Sequence, residues 1–482
     1  MVRLTAIGFL LGIVLLGANN TTADVQVSGP TWVNTLGGTA YEEVRAIAIG
    51  TGGEIVTAGS AADGSSITLS KYSSGGELIW SKRWDIPGPH DGLTGCALAS
   101  NGDIVISGYI ETRFVDGYVM RIDTDGNFLW GRHWGSGAWD PGDGVTVDQA
   151  GDIVMHLSSN SSGSIDNTVV KYDASGNLLW QTAWHLNSNN GTLSSPVTDN
   201  AGNIYNIGLT GAVPFPGGQD VMLVKFDASG ALVWDAVWSG TGTETAQGIA
   251  YSQDGNVYVT GWTDSFGAGD RDVLVLKFDA TTGELIWQKT WGGTDLEEST
   301  GIVVGPDGLI TVAGISESFD TNWKDLLVLV YDEDGNLVSS HTWGNVGVFE
   351  GGACAAGDAF GFVAVGGWGV GCTGDWLQVS GLDAIPSGTL TYNQGTIVTP
   401  VGDAQSFIPT ELAPLSVECG NPGSYDQLLL GFATCGLVDL EVCSIDAEDV
   451  NCDGVVNVFD VVAAVDVAFR SGAPSVPCCR FE

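Results

Sequence analysis

A tryptophan recurs along this chain at a spacing too long for one hairpin and too regular to ignore. It stands at Trp32, Trp80, Trp130, Trp180, Trp234 and Trp287, with Ser339 in the seventh register, so the intervals are 48, 50, 50, 54, 53 and 52 residues. A second large ring follows four residues on, at Trp84, Trp134, Trp184, Trp238, Trp291 and Trp343, with Leu36 in the first copy. Positions i and i+4 of a strand share a face, so each unit puts two large side chains on one side of one strand.

Each unit holds four short β-type runs. In the fifth copy these are Val233–Trp238, Gly248–Tyr251, Val257–Thr260 and Val273–Phe278, separated by turn signals such as Asp254-Gly255 and Asp227-Ala-Ser-Gly230. Runs of this length and turn density read as antiparallel sheet. A fixed period near 50 with four strands per repeat predicts propeller blades. One blade cannot cover both its faces, so neighbours must sandwich the tryptophans, each stabilising by about 2–3 kcal/mol through burial. The registers predict an all-β, seven-bladed β-propeller of four-stranded antiparallel blades over residues 30–384. The orphan strand at Trp32 is expected to join the last blade beside the Trp376–Val379 run and close the ring, removing exposed sheet edges.

The 482 residues exceed one ordinary domain. With 57 acidic against 16 basic residues, the formal charge is −41, which argues against nucleic acid as a partner because phosphate would be repelled. Residues 1–23 read as a secretory signal peptide: Arg3, an apolar run from Leu4 to Leu16, then small and polar residues, with cleavage expected after Ala23. No later run is apolar for long enough to span a membrane, so no membrane span and a secreted, extracellular location, with surface association as one form of it, are expected. In that compartment the cysteines crowded at 419–479 read as local disulfides, and the odd total of 9 leaves one thiol free, assigned to Cys96.

Segments such as TWGGTDLEESTGIVVGPDGLITVAGIS and VWSGTGTETAQGIAYSQDGNVYVTGWT resemble the bacterial β-propeller repeats called SBBP, over about Trp32 to Asp383. That resemblance implies the fold and says little about activity. Phe278–Trp287, FDATTGELIW, also resembles the tryptophan-docking motif of quinoprotein dehydrogenase propellers, where the motif clasps blades together; the seven registers and the lack of an adjacent cysteine pair in the propeller weigh against a quinoprotein.

Two repeat positions carry acid. In the loop after the second tryptophan the copies read Glu42, Asp91, Asp140, Asn190, Glu244, Glu297 and Glu350. A second set, Asp116, Asp166, Asp220, Asp272, Asp325 and Asp375 with Ser66 in the first copy, opens the strand that leads to the turn before the next tryptophan. Both sets belong on the face where a propeller's channel opens. A carboxylate that recurs in every blade ordinarily caps its own loop. The functional reading is a cation or polyol site at the channel mouth.

The Trp period stops at residue 385, and 385–445, with Pro386, Pro400, Pro409, Pro414 and Pro422, reads as a linker or a small Cys-containing β module. The final segment, 446–482, holds an EF-hand-like calcium loop. A hard Ca²⁺ ion takes six to eight oxygens, supplied by a twelve-residue loop from positions 1, 3, 5, 7, 9 and 12. Here those are Asp449, Asn451, Asp453, the Val455 carbonyl, Asn457 and Asp460, with Gly454 at the sharp turn. Aspartate at position 12 with one helical run after it, Val461–Phe469, resembles a type I dockerin repeat of cellulosome subunits. Dockerins usually pair two repeats to bind a cohesin, and this chain has one.

These readings predict a secreted binding or scaffold protein. One propeller face meets a protein or extracellular glycan, and a Ca²⁺-stabilised tail serves assembly or surface attachment, through a cohesin-like partner or self-association. The alternative is a polysaccharide-acting enzyme, a glycoside hydrolase or lyase, delivered by that tail. No position is assigned as catalytic.

Overall fold

The computed structural model describes residues 32–433 apart from 37–42, 61–65, 89–90, 186–193, 211–217, 320–323, 345–350, 358–361, 370–374, 393–395, 399, 401 and 413–425. The predicted signal peptide, the calcium loop with its ligands Asp449 to Asp460, and Glu42, Asn190 and Glu350 lie outside the described residues. The chain is a β-propeller. Six repeat-built blades span residues 43–85, 91–135, 142–185, 197–239, 244–292 and 297–344, and are called blades 1 to 6. Blade 5, for example, runs outward through Glu244–Ser252, Asn256–Thr263, Asp272–Asp279 and Leu285–Gly292, all antiparallel. The repeat seen in the sequence is offset by one strand from the blade: Leu232–Ser239, which opens the fifth copy, is the outer strand of blade 4.

The expectation of seven equivalent four-stranded blades is corrected. There are six repeat-built blades, each with five strands, and a four-stranded composite sheet lies between blade 6 and blade 1. That sheet runs, from the inside out, through Gly351–Gly357, Phe362–Gly369, Asp426–Ala433 and Trp32–Leu36. The amino-terminal strand is therefore its outermost member, but its neighbour is Asp426–Ala433 and not the Trp376 run. Apolar clusters fill the seams between successive sheets, including blade 6 against the composite sheet and the composite sheet against blade 1.

Two of the fifth strands come from the end of the stretch expected to be the seventh blade, and four from the stretch expected to be a linker or a small β module. Asp375–Gln378 adds to the outer edge of blade 6, Leu382–Ala384 to blade 5, Thr389–Tyr392 to blade 4, Thr396–Val398 to blade 3, Asp403–Phe407 to blade 2 and Thr410–Leu412 to blade 1. This belt circles the disc against the blade order and ends in the composite sheet. The boundary at 384 is thus a correction: the described strands from Thr389–Tyr392 to Asp426–Ala433 belong to the propeller sheets. Each belt strand begins seven residues after the last, at 375, 382, 389, 396, 403 and 410.

The two tryptophans of each outer strand do different jobs. The first clasps the next blade. Trp80, Trp130, Trp180 and Trp287 donate their indole N–H to the carbonyls of Thr124, Ala174, Ala228 and Glu333, at 3.0–3.2 Å. Those carbonyls belong to the Asp-x-x-Gly turn of the following blade, and its glycine, held at positive φ as at Gly176 and Gly230, lies against the ring. A cation on the adjacent strand donates to the same carbonyl, as Lys277 does to Glu333 O at 2.9 Å. Ser339 replaces the tryptophan in blade 6 for a visible reason. The composite sheet takes its two outer strands from opposite ends of the chain, so no hairpin turn is there to receive an indole.

The second tryptophan is sealed by the belt. Trp134, Trp238 and Trp291 are fully buried. A Cβ on Gly402 would lie 2.0 Å from Trp134, one on Gly388 2.1 Å from Trp238, and one on Gly381 2.6 Å from Trp291. Glutamine completes the seat. Trp238 Nε1 donates to Gln288 Oε1 at 2.6 Å, and Gln288 Nε2 donates to Pro386 O at 2.6 Å. Trp134, Gln181 and Pro400 repeat this link at 2.8 and 3.0 Å.

Gly388→Ala should therefore lower stability by roughly 1–3 kcal/mol through overpacking, read as a fall in Tm, while Ser387→Ala beside it stays near neutral. Deleting residues 30–37 should cost several kcal/mol in one cooperative transition, because it strips the outer strand of the sheet that joins both ends.

Candidate functional site at the channel face

The innermost strands start on the face that carries the long loops, and the Asp-x-x-Gly turns lie on the opposite, turn face. Each described acid of the first set sits at the start of an innermost strand. Asp140, Glu244 and Glu297 are fully buried. Asp140 accepts from Ser136 N at 2.7 Å, Ser136 Oγ and Ser159 Oγ at 2.6 Å, and Asn160 N at 3.2 Å. Glu244 accepts from Gly240 N at 2.7 Å, Thr263 Oγ1 at 3.1 Å and Ser265 Oγ. Glu297 accepts from Gly293 N at 2.6 Å, Ser316 Oγ at 2.7 Å and Ser318 N at 3.3 Å. In each case one backbone donor lies four residues upstream, so the carboxylate closes its own loop. Asp91 opens the inner strand of blade 2.

The second set lies beside the first, one member from each of two neighbouring blades. The backbone N–H groups of Asp140, Glu244 and Glu297 donate to the carbonyls of Val115, Gln219 and Arg271, the residues just before Asp116, Asp220 and Asp272. Asp116 and Asp166 hold histidines: His133 Nδ1 is 3.1 Å from Asp116 Oδ2, and His185 Nδ1 is 2.6 Å from Asp166 Oδ1. Asp272 accepts from Ala268 N and Gly269 N. Asp220 differs. Its Oδ2 accepts from Thr210 Oγ1 at 3.1 Å, and its Oδ1 is buried with no partner among the described residues. Burial, with a smaller push from Glu244, raises its carboxyl to about 7. Asp325 is buried in the outer part of blade 6, and Asp375 opens the first belt strand. Among the described residues no three His, Cys, Asp or Glu side chains gather as a metal site.

Sequence reasoning missed the positions at which the blades differ. Three residues after six of the seven first-set positions the inner strand bulges, between Val44 and Ala46, Leu93 and Gly95, Gly142 and Gly144, Ala246 and Gly248, Ser299 and Gly301, and Gly352 and Cys354. The extra residues are Arg45, Thr94, Asp143, Gln247, Thr300 and Ala353, five residue types at six positions. A bulge re-aims a side chain, and Arg45, Thr94, Gln247 and Thr300 line a cavity of about 170 Å³ where the inner strands converge. Just past the bulges the strands nearly touch. A Cβ on Gly144 would sit 2.2 Å from Ser195 Cα, and one on Gly301 2.5 Å from Ala355 N. The signal was present as a fixed offset of three from a recurring acid, with five residue types among the six copies.

Blades 3 and 4 depart furthest from the repeat. Asp143 is buried and accepts from Ser158 Oγ at 2.6 Å, and burial raises its carboxyl to about 8. His156 is buried at the same seam with Nδ1 3.4 Å from Ser194 O, and burial lowers it to about 3, so the imidazole is neutral. Asn206 Nδ2 donates to Asn167 Oδ1 at 2.6 Å close by. Cys96 carries a free thiol, as expected, and so does Cys354; both border the central cavity, and burial raises Cys96 to about 12.

No family model matches the chain. The regulatory protein FlaEY of Caulobacter vibrioides is 28% identical over 118 residues, covering 22% of this chain and 12% of that protein. A chain of a mitotic checkpoint complex superposes with a TM-score of 0.45 at 10% identity, covering 74% of this chain and 94% of that one. The periplasmic gluconolactonase PpgL of Pseudomonas aeruginosa gives 0.45 at 12% identity, covering 65% and 95%. Likenesses this distant carry no argument about activity.

Asp220 makes a pH prediction. Its folded value, about 7, stands above the ordinary 3.8. The folded state therefore binds the proton more tightly, and stability from this group falls as pH rises from about 4 to 7. Asp220→Asn should match the parent at pH 4 and exceed it at pH 8 by roughly 2–4 kcal/mol, checked by denaturant melts across that range.

Proposed function

We propose that this protein is a secreted binding propeller of the SBBP type. It presents its channel face to a protein or glycan partner and is held from the opposite face by its dockerin-like, Ca²⁺-binding tail. The observation that carries this reading is where the chain leaves the disc. In the composite sheet Trp32 pairs with Gly431, and Ala433 pairs with Phe362 at the start of the second strand. That end of the sheet is the turn face. The last described residue, Ala433, thus lies on the side opposite the channel mouth, away from the long loops and the varied bulge residues.

A binding role is favoured over hydrolysis by the engagement of the ring acids. Cleavage of a glycosidic bond needs two carboxylates in different environments, whereas Asp140, Glu244 and Glu297 share one capping role. Ca²⁺ would be held by Asp449, Asn451, Asp453, the Val455 carbonyl, Asn457 and Asp460, an all-oxygen set suited to a hard cation.

The test uses the full secreted chain on a glycan array and in a polysaccharide hydrolysis screen, with and without EDTA. Binding without turnover is the expected result, and turnover of any polysaccharide would replace this reading by the enzymatic one. Asp449→Ala with Asp460→Ala should abolish ⁴⁵Ca binding and Ca²⁺-dependent association while leaving the main melting transition of the propeller in place.

A further inference from the structure

Away from the channel, a cleft of about 390 Å³ opens between blade 5 and the belt. That is near the lower end of the range that holds small ligands, roughly 300–1,000 Å³. One wall is the loop after the second strand of blade 5, with Asp264 and Phe266. The other is the belt at Ile385 and Pro386, and Thr290 of the outer strand contributes between them. We propose that this cleft binds a single sugar ring, with Phe266 against its C–H face and Asp264 and Thr290 taking its hydroxyls.

Three observations meet here. Phe266 is held from behind by Trp238, ring centroids 5.9 Å apart and tilted at 58°, and Trp238 is itself locked by Gly388 and Gln288. The aromatic wall is thus rigid before any ligand arrives, which limits the ordering cost of binding. Asp264 is exposed, and its carboxylate accepts from Thr243 N through one oxygen and makes no other hydrogen bond among the described residues. Thr290 is fully buried, and its Oγ1 has no partner among the described residues. A buried hydroxyl without a partner is destabilising. A polyhydroxylated ligand offers both donors and acceptors for these two groups, and its apolar face suits an aromatic ring. Pro386 closes the cleft and its carbonyl is already taken by Gln288, so the wall does not depend on the ligand.

The site is independent of the channel, so it stands or falls separately from the proposed function. The test is saturation-transfer NMR on the full chain with glucose, mannose, galactose and N-acetylglucosamine, each at a few millimolar. Binding of at least one, with Kd in the millimolar range, is expected. Phe266→Ala and Thr290→Val should each weaken it by about fivefold or more, roughly 1 kcal/mol. Thr290→Val removes a partnerless hydroxyl and should leave Tm unchanged or raised, so lost binding there cannot be lost folding. Asp264→Asn, which keeps the acceptor for Thr243, should weaken binding less. The proposal is overturned if no sugar shows transfer, or if transfer persists undiminished in both Phe266→Ala and Thr290→Val, which would place glycan binding elsewhere on the disc.

Discussion

The seat of the second tryptophan is the contact on which the rest of this disc depends. Each such ring is large, lies at the end of an outer strand, and would face water if its blade stood alone. Trp238 shows how it is covered: Phe266 of the next blade on one side, Gln288 of that blade at the indole nitrogen, and the backbone at Gly388 across it. Three separate stretches of chain must arrive for one ring to be dry. Burial of one such ring is worth only about 2–3 kcal/mol, but belt glycines close over Trp134, Trp238 and Trp291 alike, and belt strands pair with every repeat-built blade. Glycine is demanded at the belt positions because the approach leaves no room for a Cβ, not because the backbone there is left-handed.

The belt also resolves an edge problem. A four-stranded blade exposes the outer edge of its last strand, and an exposed edge invites pairing with other chains. Short added strands cover the channel-face half of those edges. The same strand path brings Asp426–Ala433 beside Trp32–Leu36, so the two ends of the described chain share one sheet. Closure therefore links the largest sequence separation among the described residues, and the loop-closure entropy is offset by contacts all round the rim.

Much of this was legible in the residues. Trp80, Trp130, Trp180 and Trp287 with their Asp-x-x-Gly turns announced the blades, because both halves of the clasp are local, repeated and chemically specific. The capping role of Asp140, Glu244 and Glu297 was legible for the same reason: donor and acceptor lie four residues apart. The bulge residues were harder to see. Arg45, Thr94, Gln247 and Thr300 share a position but hold three different side-chain chemistries, so a search for one recurring residue passes over them. The belt was read as a linker or a small β module of its own because strands of three to five residues, interrupted by Pro386 and Pro400, carry little β signal and none that names the edge they join. Its seven-residue step, visible in Gly381, Gly388 and Gly402, gains meaning only when each glycine is seen over a tryptophan.

By itself the sequence determined the blade, its turns, the inter-blade clasp and the acid that closes each loop, since all of these are settled by side chains within one repeat or between adjacent ones. The tertiary structure alone decided how the ring closes, which strand stands next to Trp32, that residues 375–412 encircle the disc, and that Ser339 needs no indole. Those outcomes depend on which distant edge a short strand can reach and cover. Edge pairing through backbone N–H and C=O groups is open to any residue but proline, so it leaves little mark on the residues that make it.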